Sequence, residues 1–67
     1  MDDTTMEILL KKKNKEVVNA EILGLNDEEY IELIKTMELA GLIQNVTYAS
    51  NIPIYFDLTE KGKNQVN

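Results

Sequence analysis

Apolar residues along the chain follow two different periods, and the change falls at Gly41. Before it they recur every three or four positions, as on a helix with one buried side. Met6, Leu9 and Leu10 mark the first such stretch. Thr4, with Glu7 three residues later, has the spacing of a capping box, in which each side chain satisfies the other's free backbone N–H. A first helix is predicted over about 5–13. Its last turn holds Lys11, Lys12 and Lys13, where cations suit the negative end of the helix dipole. Asn14-Lys15 breaks the pattern, and Glu16-Val17-Val18 has room only for a very short extended piece. Asn19 suits the N-cap of a stubby helix over 20–23, which Gly24 ends.

A longer helix is predicted over 27–40. Leu25 precedes the cap residue Asn26, and Asp27, Glu28 and Glu29 crowd the positive end of the dipole. At 100° per residue Tyr30, Leu33, Ile34, Met37 and Ala40 share one face, the predicted core face. Gly41 supplies a left-handed stop. Beyond it the period becomes two. Val46 and Tyr48 alternate, and after a turn near Ser50-Asn51 so do Ile54, Phe56 and Leu58. This predicts a β-hairpin with strands of about 42–48 and 52–58, with Pro53 near a strand start, where its missing N–H is tolerated. Ile54, Phe56 and Leu58 are expected to face the helices, with Tyr55 and Asp57 on the other side. Thr59 suits a cap for a helical tail over about 60–66, weakened by Gly62.

The expected architecture is α+β and mostly α, one domain over 1–67: three helices, a two-stranded β-wing and a short C-terminal helical tail. That order predicts a winged helix-turn-helix. Two stretches support it. MELAGLI resembles the Leu-x-x-x-Gly-Leu-Ile exit from the third helix of bacterial winged-helix regulators, and LTEKGK resembles their Leu-Thr-x-Lys-Gly return after the wing. The segment GLIQNVTYASNIPIYFDLTEKGKNQV is similar to the small YjcQ-like winged-helix proteins of Gram-positive bacteria and their phages. The similarity spans roughly residues 6–66. It implies architecture and little chemistry, since that family has no firmly assigned activity.

Charge complicates the DNA-binding role that such a fold suggests. The net charge is −5 and all seven cations are lysines, so arginine, the commonest reader of guanine edges, is absent. The predicted outer face of the third helix collects Glu28, Ile31, Glu32, Lys35, Glu38 and Leu39. Phosphates lining a major groove would repel it. The positive charge lies elsewhere. Lys11, Lys12, Lys13 and Lys15 close the first helix, and Lys61 and Lys63 follow the wing; these six are the candidate phosphate contacts.

The residues for catalysis are scarce. Histidine and cysteine are absent, and the glycines stand singly at Gly24, Gly41 and Gly62 rather than in a phosphate-binding loop. Ser50 has no candidate base nearby in sequence. Glu28 and Glu32, one helical turn apart, read as a solvated helix face rather than a cation site. No enzyme activity, metal, cofactor or small-molecule substrate is expected. The acidic N-terminus lacks the basic character of a signal peptide, and the longest apolar run there is Ile8-Leu9-Leu10, so a cytoplasmic protein with no membrane span is expected. With so small a core, a dimer is expected too. Two functions follow: a winged-helix regulator of transcription bound to double-stranded DNA, or an acidic winged-helix module that contacts a protein or dimerises without DNA.

Overall fold

The computed structural model describes residues 2–67, and every structural statement below refers to them. The chain forms α1 (Asp3–Lys13), α2 (Ala20–Leu23), α3 (Asp27–Leu39), β1 (Ile43–Ala49), β2 (Ile52–Leu58) and α4 (Glu60–Asn64). The fold is α+β, with four helices and one two-stranded antiparallel sheet. One core joins all of it. Ile8 and Leu9 come from α1, Tyr30, Ile34 and Met37 from α3, Leu42, Ile43 and Phe56 from the hairpin, and Val66 from the tail.

Local chemistry explains most of the boundaries. The Asn26 side chain accepts from the Glu29 N–H while the Glu29 carboxylate accepts from the Asn26 N–H, a complete capping box. Asn19 and Thr59 cap α2 and α4 in the expected way. The start of α1 differs from expectation. Asp2, not Thr4, is the cap: its carboxylate accepts from the Thr5 N–H at 2.7 Å, which holds that carboxyl below its usual pKa. Thr4 therefore lies inside the helix. Starting two residues earlier leaves the buried side of α1 to Thr5, Ile8 and Leu9, with Met6 half-buried and Leu10 exposed.

Three helices end in the same motif. After α1, Glu16 N–H donates to the Lys11 carbonyl and Lys15 N–H to Lys12; after α2, Leu25 donates to Ala20 and Gly24 to Glu21; after α3, Leu42 donates to Met37 and Gly41 to Glu38. Each is a Schellman closure with a left-handed residue at its centre. Gly24 and Gly41 fill two of these positions, but Lys15, at φ 59°, fills the third. The segment 16–18 belongs to no strand; the sheet contains β1 and β2 alone. On α3, Tyr30, Ile34 and Met37 are buried as expected, Leu33 is half-buried, and Ala40 is exposed at the helix end.

The hairpin closes through Ser50 and Asn51, both at positive φ, as a two-residue loop matched to the strand twist requires. Its register carries two irregularities. Tyr48 pairs with Pro53 but Thr47 with Tyr55, which leaves Ile54 as an extra residue on β2. Thr47 pairs with Tyr55 but Gln44 with Asp57, which leaves an extra residue on β1, where Asn45 has φ 55°. The second bulge restores the register that the first disturbed. Consequently Pro53 and Phe56 are buried, three residues apart, and Ile54 turns outward at 62% exposure. The expected inward alternation of Ile54, Phe56 and Leu58 holds for Phe56, and for Leu58 in part.

The exit from α3 and the return after β2 form one unit. The Thr59 hydroxyl accepts from the Gly62 N–H and donates to the Gly41 carbonyl, while the Thr59 N–H donates to the Leu42 carbonyl. Gly62 is buried, and a Cβ there would overlap the Leu42 carbonyl oxygen. Lys61 donates to the Ala40 carbonyl at 2.7 Å, satisfying the end of α3. None of the helices is long and apolar enough to cross a membrane.

Candidate functional site: a lysine-lined groove

Four lysines from two distant parts of the chain line one open groove. Lys12 and Lys13 come from the last turn of α1, Lys15 from the closure after it, and Lys63 from α4. Its floor and far side are Gln44 of β1, Tyr55, Asp57 and Leu58 of β2, and Asn67. The α1 closure places Lys15 beside its neighbours, and the Thr59–Gly62 unit fixes the turn of α4 that carries Lys63. Glu16 and Asp57 are the carboxylates on the lining, so the groove holds four cations against two anions in a chain of net charge −5.

The geometry inside it is organised rather than merely charged. The Lys12 ammonium lies 4.4 Å from the Tyr55 ring centre and 4.9 Å from that of Phe56, within cation–π range of both. The Tyr55 hydroxyl donates to Asp57 at 2.7 Å, and the amide of the bulge residue Asn45 donates to the other Asp57 oxygen at 3.2 Å. The Tyr55 bond, then the Asn45 bond, then the charges of Lys12 and Lys63 keep the Asp57 carboxyl below its usual value of 3.8. The same bond and the neighbouring negative charge raise the Tyr55 phenol above 10.0. Asp57 is thus held as a carboxylate by these donors, and its charge offsets part of the positive potential of the groove. Lys13 donates to the Val66 carbonyl at 2.8 Å, and the ammonium keeps two further donors.

The other candidate phosphate contacts lie apart. Lys11 faces Glu7 at 4.0 Å and Glu16 at 3.8 Å, and Lys61, which is not on the groove lining, donates to the Ala40 carbonyl. The outer face of α3 shares no residue with the groove. There Glu28, Glu32, Lys35 and Glu38 are exposed, Leu39 is 90% exposed, and Ile31 is half-buried beside a shallow hollow that it forms with Lys35, Tyr48 and Asn51. Tyr30 faces inward, and burial raises its phenol pKa. Among the described residues, no group of three or more acidic side chains is placed to hold a metal ion.

Nothing in the sequence links Lys12 to Tyr55, or Lys15 to Lys63; the fold alone brings them together. Tyr55 and Asp57 are legible as the outward side of the hairpin but not as the wall of a basic groove, and no pattern singles out Gln44. Comparison with known proteins finds no matching family model, no matching curated protein and no matching solved structure.

Proposed function

We propose that the protein is a small winged-helix regulatory protein that binds double-stranded DNA through the phosphate backbone, with the lysine-lined groove as its contact surface. The observation that carries this reading is the gathering of Lys12, Lys13, Lys15 and Lys63 around one groove in a chain that is otherwise strongly acidic. Lysines and polar side chains that hold phosphates set the register of a protein on DNA without reading sequence. Gln44 and Asn67 add neutral donors to the same surface.

The backbone of Lys15 adds to the reading. It occupies a left-handed closure position that glycine fills at lower cost. A lysine kept in strained backbone points to a use for its charge. The order of helices and hairpin, with the MELAGLI and LTEKGK stretches that meet through Thr59 and Gly62, favours the winged-helix class and kinship with the YjcQ-like proteins. In this arrangement α3 does not enter the major groove, because Glu28, Glu32 and Glu38 would face phosphates.

The test is duplex binding by fluorescence anisotropy across a salt series. Replacing Lys12, Lys13, Lys15 and Lys63 with Gln weakens binding to all sequences alike. The magnitude of the log K against log salt slope falls by about 0.9 for each phosphate that is no longer neutralised. Lys11→Gln leaves both unchanged. A parent protein with no affinity for duplex at low salt, or a slope indifferent to the four replacements, refutes the reading.

A further inference from the structure

The outer face of α3 is unpartnered, and its chemistry specifies an occupant. Ile31, Lys35 and Leu39 follow one another at four-residue intervals and form a line about 12 Å long at 1.5 Å per residue. Leu39, at 90% exposure, is the most exposed large hydrophobic residue among those described. Across from this line, Tyr48 of β1 is 41% exposed and closes the shallow hollow with Ile31. Glu28, Glu32 and Glu38 flank the line and are exposed. The surface thus offers apolar groups at both ends, Ile31 with Tyr48 and the exposed Leu39, with Lys35 between them. Three glutamates lie at the border, so the face carries a net negative charge across two elements.

We propose that this face docks a basic amphipathic segment of another protein. Charge complementarity selects that occupant. DNA would set phosphates against three glutamates. A second copy of the same face would set those glutamates against their equivalents, with only Lys35 to offset them. A segment bearing apolar side chains and flanking lysines or arginines satisfies both the apolar ends and the acidic border. The surface stands apart from the lysine-lined groove, so the two readings fail independently.

The probe is a synthetic helical peptide with leucines along one side and lysines on the other, titrated into the full chain and followed by amide and methyl NMR. A peptide with the leucines replaced by serine serves as the charge-only control. Binding is expected to shift Ile31, Lys35, Leu39 and Tyr48 while leaving Lys12, Lys13 and Lys63 in place. Leu39→Asp is expected to weaken peptide binding by about tenfold, the scale set by removing one well-placed interface side chain. Leu39 is so exposed that the variant stays folded, with the melting temperature lowered by a few degrees at most, the cost of an acidic residue in the last turn of α3. Tyr48→Ala, at a second exposed position on the other element, repeats the test. The proposal is overturned by any of five results: no shift of the α3 face by the leucine–lysine peptide, equal binding of the serine control, peptide affinity indifferent to Leu39→Asp, α3 shifts produced by duplex DNA, or a dimer that Leu39→Asp dissociates.

Discussion

Lys15 is the residue at which backbone stability and the proposed DNA contact can be tested against each other. It sits at φ 59° in the closure after α1, where two other helices of the same chain use glycine. A left-handed conformation costs an ordinary side chain about 1–2 kcal/mol, of which the greater entropy loss of glycine returns about half. Lys15→Gly is therefore expected to raise stability by up to about 1 kcal/mol while weakening DNA binding. Thermal melting and anisotropy on the same variant check this, and a protein that becomes both more stable and a better DNA binder contradicts the assigned role. At this scale the sequence is legible wherever a residue type declares its conformation. Gly24, Gly41, Asn19, Asn26 and Thr59 do so. Lys15 does not, since lysine is not the residue type that its left-handed backbone favours. Thr4 misleads because its spacing to Glu7 fits a cap, whereas Asp2 caps with an ionised acceptor and sets the helix start two residues earlier.

Among the elements, α3 follows directly from its sequence and β2 does not. The strength of α3 comes from a capping box, an acidic first turn and a glycine closure, all local. In β2 the two-residue period suggests Ile54, Phe56 and Leu58 as one inward row. The extra residue at Ile54 breaks that row, and no residue there announces a bulge. The tail shows a third case. Gly62 reads as a weak point in a helix, since glycine is about 1 kcal/mol worse than alanine in a helix interior. Propensity alone therefore has Gly62→Ala stabilise the protein. The overlap of a Cβ with the Leu42 carbonyl predicts the opposite, because relieving it moves α4 off the α3 exit, at about 1–3 kcal/mol or more of overpacking. For a domain of this size the melting temperature then falls by about 4–8 °C per kcal/mol. A rise in melting temperature would show that α4 packs less closely than described.

For the whole molecule the central matter is where the charge goes. The sequence displays lysines at two places and an acidic third helix, but only the fold joins Lys12, Lys13 and Lys15 to Lys63 and sets Tyr55 and Asp57 among them. It equally leaves Lys11 and Lys61 off the groove lining, Lys11 facing Glu7 and Glu16 and Lys61 turned to the Ala40 carbonyl. Long-range placement of this kind depends on the closure after α1 and on the Thr59–Gly62 unit, neither of which a charge count contains. The result is one basic groove and one acidic, apolar helix face with no residue in common. The most direct measurement is NMR shift mapping of the full chain with a short random-sequence duplex at low salt. DNA bound through the groove shifts Lys12, Lys13, Lys15, Gln44, Tyr55 and Lys63 and leaves Glu28 to Leu39 unmoved. Shifts concentrated on Glu28, Ile31, Glu32, Lys35, Glu38 and Leu39, or none anywhere, would contradict it.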